Sequence, residues 1–255
     1  MLAAWRLVRD GGHNGCFLPH TWRIDSCRPC GEAARAEKIT GITVPLFHVL
    51  PLSTPTRLAV TDLWMEPSTD LWQQALARYE RVIECQDVAK LPALDRWYRD
   101  ELPGAIASRA TPHVTHDELV RLTEWKMARG VWRAPNLVLV RGNAPELVRE
   151  VSASALALIP HPTKPVATLA TLAGIGPATA SAVTAAHKPG LYPFFDELVA
   201  AQIPTLGKVA WTLGYYGKYA AALRERAAEL GAEWTPVMLE RALWAHVGGK
   251  TGAVD

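Results

Sequence analysis

The chain has 255 residues, 49% of them hydrophobic and 20% charged, with 27 Lys+Arg against 25 Asp+Glu for a formal net charge of +2. An apolar half and a net charge near zero exclude a globally disordered chain, and no apolar run approaches the roughly 20 residues that a bilayer-spanning helix needs. The same balance argues against a protein that coats nucleic acid non-specifically, while leaving room for a local basic face.

Residues 1–45 are rich in Gly, Arg, Cys and His and carry little helical periodicity, so a poorly structured N-terminal extension is expected there. Its first ten residues lack a continuous apolar stretch, which predicts no secretory signal. Cys16, Cys27 and Cys30, with His13 or His20, are zinc-ligand types, and Cys27-Arg-Pro-Cys30 has knuckle spacing. No second Cys pair completes the pattern, so free thiols are expected and no metal is assigned. Four cysteines in the whole chain point to a reducing, intracellular compartment, nuclear in a eukaryote. Pro45, Pro51 and Pro55 predict an extended connector into one helical domain over 46–255.

From about residue 70 the periodicity is helical. Leu71 to Gln86 has apolar residues at 71, 72, 75, 76, 79, 82 and 83, close to a 3.6 repeat. Ala93 to Ser108 follows, interrupted by Pro103. Thr115 and Glu118 form a capping-box pattern ahead of a helix that Gly130 should stop. Pro135–Leu158 reads as one or two helices broken near Gly142-Asn143. After it come Val166–Leu172, Pro177–His187, Glu197–Ala201, Lys208–Leu230 (with a break at Gly214 or Gly217) and Pro236–His246. No strand-like alternation or internal repeat is found, and the fold class is all-α with about eight to ten helices. Trp64, Trp72, Trp97, Trp211, Trp234 and Trp244 fall at helical spacings and are expected in the core.

The most specific stretch is Leu172-Ala-Gly-Ile-Gly-Pro-Ala-Thr-Ala-Ser-Ala-Val183. Leu169 and Leu172 close a short helix, Gly174-Ile175-Gly176 turns tightly, and Pro177 opens the next helix at its preferred first position. Small residues after it allow close helix packing. The free amides of the new helix start, Gly174 to Thr179, suit a phosphate. Pro193-Phe-Phe-Asp196 follows, with Asp196 20 residues after Gly176 and three after Pro193.

Over residues 169–200 the chain resembles the helix-hairpin-helix/Gly-Pro-Asp superfamily of DNA glycosylases, at the interval of the adenine-glycosylase and endonuclease III branches. The resemblance implies a two-lobed helical fold with its hairpin at 169–187. It implies a phosphate anchored by Gly174, Ile175, Gly176, Ala178 and Thr179, with a monovalent cation held at the hairpin carbonyls, and Asp196 as the essential carboxylate. Ala178 stands where lyases of the superfamily carry a catalytic lysine, no Cys follows Cys85 to hold an iron–sulfur cluster, and Glu197-Leu198-Val199-Ala200 departs from the usual residues after the aspartate. Asp196 can equally be a plain N-cap of the helix after it.

The helix after Thr115 supplies a second clue. With Leu119 at zero and 100° per residue, Leu122 falls at about 300° and Lys126 at about 340°, inside the apolar sector. A lysine there snorkels outward, pairs with a carboxylate, or faces a pocket, and Lys126 is a candidate partner of Asp196 or a reactive amine in the same cleft. Arg129, Arg133 and Arg141 with Trp132 between them are either solvated surface charge or a phosphate-and-base contact, with Arg129 and Arg133 the candidate phosphate ligands. Tyr215-Tyr216 either line a base pocket or belong to the core. The resemblance, with these residues, implies a monofunctional enzyme, a monomer, that cleaves the N-glycosidic bond of a flipped base in DNA. The alternative is a non-catalytic DNA- or protein-binding module on the same fold.

Overall fold

Hydroxyl and carboxylate side chains set where five of the described α-helices begin. In the computed structural model, which describes residues 62–252, Ser68, Thr115, Asp196, Thr212 and Thr235 each accept a hydrogen bond from the first turn of the helix that follows. The helices in order are α1 (Thr69–Ala77), α2 (Tyr79–Glu84), α3 (Leu91–Arg96), α4 (Leu102–Ala107), α5 (His116–Arg129) and α6 (Ala134–Arg141). Then come α7 (Pro145–Leu156), α8 (Lys164–Leu169), α9 (Pro177–His187), α10 (Glu197–Ala200), α11 (Leu213–Leu230) and α12 (Pro236–His246). No strand occurs among the described residues, and the fold is all-α. These residues fall within one unit that begins at Pro55; the expected N-terminal extension and Cys16, Cys27 and Cys30 lie outside the described residues.

Twelve helices stand among the described residues where about eight to ten were expected, because long periodic stretches are subdivided. The 71–86 segment breaks at Arg78. In the 93–108 segment Pro103 has no N–H and its ring would crowd the Arg99 carbonyl of a straight helix. The backbone instead widens into a π-turn over Trp97–Glu101, with Leu102 N donating to Trp97 O. The wider turn buries two consecutive aromatics. Tyr98 stacks on Trp125 of α5 (centroids 3.6 Å apart, planes 14° apart), and its hydroxyl donates to Ala182 O of α9 at 2.9 Å. In the opposite sense, α11 runs unbroken through Gly214 and Gly217, and a Cβ at Gly217 would come within 3.2 Å of Thr163.

Two helices organise the packing. α12 packs on α1, α2, α10 and α11, while α5 packs on α3, α6, α7 and α9. One apolar core runs through both sets, with Trp72, Trp125, Trp244, Tyr216 and Tyr219 fully enclosed. The bend between α8 and α9 is fixed by a close approach. Gly174 has φ +75°, and a Cβ there would lie 2.6 Å from Asn136 O and 2.9 Å from Leu139 Cβ in α6. Asn143 clamps the same bend from both directions: its Nδ2 donates to Ala173 O and its Oδ1 accepts from Ala173 N, each at 3.0 Å.

Candidate functional site

Asp196 ends a buried extended segment, Tyr192–Phe195, whose backbone is tied down on two sides. Ser181 of α9 accepts a hydrogen bond from Phe195 N at 2.9 Å. From α11, Tyr219 donates to Phe194 O at 2.7 Å and Tyr216 to Pro193 O at 3.5 Å. The Phe195 ring lies among Trp211, Tyr215, Tyr216 and Tyr219. Tyr215 and Tyr216 are therefore core tyrosines that brace this segment; their rings are buried.

The Asp196 carboxylate does two things. Oδ1 accepts from Leu198 N at 2.8 Å and caps α10, so the plain capping role is present. Oδ2 lies 3.6 Å from Arg129 Nε, an ion pair too long for a hydrogen bond, and that Nε has no hydrogen-bond partner among the described residues. Although only 7% exposed, Asp196 lines a cavity of about 100 Å³. The walls are Lys126, Arg129 and Gly130–Val131 of α5 and the turn after it, Arg133, the segment Phe194–Leu198, Trp211 and Lys250.

Lys126 is half-buried and shares this cavity with Asp196, its ammonium 5.8 Å from the Trp211 ring centroid. Burial lowers its pKa and Arg133 adds to the fall, against the opposing pull of Asp196 and Glu197. Arg133 is exposed at the mouth.

Arg129 is elsewhere than expected. A residue assigned to a DNA phosphate is 2% exposed, with its Nη2 hydrogen-bonded to Glu240 of α12 and its Nη1 3.3 Å from the Tyr79 hydroxyl. Its guanidinium carbon sits 4.5 Å from the Trp244 ring centroid and 5.2 Å from that of Phe194. So enclosed, it is an internal counter-charge whose guanidinium is taken up by Glu240 and Asp196. Burial opposes its charge, but Glu240, Tyr79, Asp196 and Asp95 outweigh burial and raise its pKa. Burial pushes Glu240 up to about 7, the Arg129 charge resists, and Asp196 adds to the rise. Beneath this group Asp95 accepts from the Tyr79 hydroxyl (2.8 Å), Trp125 Nε1 (2.9 Å) and Arg99 Nε (2.8 Å).

The expected Arg cluster does not assemble. Arg141 pairs with Glu124 at 2.7 Å, and Trp132 lies under the Lys90 ammonium at 4.0 Å. At the bend, Gly174 and Gly176 are half-buried while the side chains of Ile175, Ala178 and Thr179 are buried, so these residues offer a ligand backbone only. The first helical bond of α9 runs from Ala180 N to Gly176 O, leaving the Gly176, Ala178 and Thr179 amides outside the helical ladder, while Ile175 N is taken by Leu172 O at 3.1 Å. None of residues 174–179 lines the cavity, and Ser181 of α9 links the helix after the bend to the cavity segment through Phe195 N.

Sequence reasoning missed Glu240, Lys250 and Trp211. Trp211, expected in the core, is 44% exposed and walls the cavity. Glu240 lies on the apolar side of α12 beside Leu243 and Trp244, a periodicity signal like that of Lys126. For Lys250 the signal is Gly248-Gly249 after a helix end. Among the described residues no group of three or more His, Cys, Asp or Glu is arranged to hold a metal, and no helix is long and apolar enough to cross a membrane. No family model matches the chain, and no curated protein or solved structure does either.

Proposed function

We propose that the chain removes a base from DNA by cleaving its N-glycosidic bond with water as the acceptor. The observation that carries this reading is Asp196, a buried carboxylate facing a cation-rimmed cavity on a segment strapped to the helix that follows a glycine bend. The 169–200 resemblance to helix-hairpin-helix glycosylases assigns the same residue the same role, with the α8–α9 bend offering amides to a strand phosphate.

A base must leave the stack to reach such a cavity, at an unstacking and unpairing cost of a few kcal/mol that is least for a damaged or mispaired base. As the C1′–N bond breaks, the base leaves with the electron pair and positive charge grows on the sugar. Asp196 Oδ2 stabilises that charge, because Oδ1 is already held by Leu198 N and the carboxylate cannot turn away. Water then adds to C1′, its proton passes to solvent or to the departing base, and an abasic sugar remains. Lys126 balances the carboxylate from across the cavity.

A non-catalytic DNA-binding module is the competing reading, favoured by the Arg129 charge that already faces Oδ2. Duplexes bearing single modified bases separate the two. Asp196→Asn keeps an N-cap and removes the negative charge, so the fold should hold while abasic-site formation falls by at least about 100-fold. Wild-type binding with no base released from any duplex would assign the binding module.

A further inference from the structure

We propose that the loop after α12 is a latch that carries Lys250 to the cavity, where it joins Arg133 in binding one phosphate of a nucleic-acid strand. This rests on the DNA reading above and adds a residue and an element to it.

The loop is held far more firmly than its surface position requires. Gln86, after the end of α2, is 7% exposed and is given over to this loop. Its Oε1 accepts from Lys250 N at 3.0 Å and Thr251 N at 3.2 Å. Its Nε2 donates to Gly248 O and to Thr251 Oγ1, both at 3.1 Å, and to Val82 O of its own helix at 2.9 Å. Gly248 and Gly249 turn the chain back with φ +73° and +60°, and a Cβ on Gly249 would lie 2.6 Å from the Trp244 ring. The consequence is a fixed backbone at residue 250 and an exposed lysine side chain on the cavity wall.

The charges there do not cancel. Four cations, Lys126, Arg129, Arg133 and Lys250, line the cavity with two acids, Asp196 and Glu197. Asp196 is already opposed by Arg129, which also serves Glu240, and by Lys126, whereas neither Arg133 nor Lys250 has a carboxylate within ion-pair distance among the described residues. An uncompensated rim of this kind attracts an anion, and Arg133 can present two parallel donors to phosphate oxygens. Exposed Trp211 and Val131 give the same rim an apolar flank suited to a base or sugar.

The test is fluorescence anisotropy of a labelled duplex containing one abasic site, read across a potassium chloride series. Lys250→Ala should weaken binding about tenfold at low salt and reduce the magnitude of the log–log salt slope by about 0.9, while Lys250→Arg retains both. Gln86→Ala removes no charge yet should shift affinity in the same direction. If Gln86→Ala fails to fold, the exposed Lys250 variants decide the matter alone. An unchanged slope in Lys250→Ala against a binding wild type overturns the latch and leaves base excision standing. Binding with the expected slope change but no base release anywhere upholds the latch and removes base excision. A wild type that binds no duplex at any salt overturns both.

Discussion

Lys126 and Arg129 differ by three residues on one helix, and their contrast shows what local pattern can and cannot say. On the wheel of α5, Lys126 falls at about 340° and Arg129 at about 280°, between Trp125 and Leu122. Only Lys126 was legible as a cation on an apolar face; Arg129 reads as surface or phosphate-binding charge, although the same wheel places it among apolar neighbours. The partner that makes Arg129 tolerable inside the protein was not legible, since Glu240 lies 111 residues away on another helix. Asp196 could be read from its interval to the bend, yet the Arg129 contact behind it could not. The Glu240–Arg129 pair also predicts a pH dependence. With a folded pKa of about 7 against an ordinary 4.5, Glu240 contributes stability that is fully present below the lower value and lost as pH rises through the upper one. Between about pH 5 and 8 this amounts to an order of 2 kcal/mol, and Glu240→Gln should flatten that part of the profile. Urea denaturation at several pH values reads the difference between the two proteins. That difference isolates Glu240, because His187, pulled down by burial and by Lys188, tilts stability the other way in both. Parallel profiles would show that the carboxyl does not titrate in this window.

At the scale of elements, the readable features were those written in adjacent residues. The Thr115–Glu118 box, the Gly130 stop and the Pro177 and Pro236 starts coincide with helix ends in the structure. The π-turn before Pro103 was not readable, because it answers to what α5 and α9 require of Trp97 and Tyr98 rather than to any local signal. The two glycines of the α8–α9 bend look alike in the sequence and differ in the fold. Gly174 has positive φ and no room, whereas Gly176 has φ −100° and nothing within 4 Å of an added Cβ. Gly174→Ala should therefore destabilise the protein by about 2–4 kcal/mol through strain and displacement of α6. Gly176→Ala should change stability by less than about 1 kcal/mol. If a strand phosphate approaches these amides, the methyl of Gly176→Ala lies in its way, and duplex affinity falls while the denaturation midpoint stays. An equal loss of stability in both variants would mean that the bend is not pinned against α6.

Among the described residues, Arg129 is one place where the two packing sets meet, beside the direct packing of α2 on α3. It ends α5, bonds Glu240 of α12 and faces Asp196 at the start of α10. Apolar burial alone would join the sets, since one core passes through both. The charge group adds a polar bridge instead: Arg129 ties the end of α5 to Glu240 of α12 and to Asp196 at the start of α10. A buried charge that loses its partner is strongly destabilising, and here one guanidinium serves two carboxylates. Arg129→Met fills similar volume but leaves Glu240 and Asp196 facing each other without a cation. The expected loss is about 3–5 kcal/mol by urea denaturation, smaller at acid pH where Glu240 is protonated. Helical circular dichroism and tryptophan fluorescence should still report coincident transitions, because the continuous core keeps unfolding cooperative even when the bridge is gone. Transitions that separate in this variant would mean that the ion group, and not the core, couples the α5 and α12 sets.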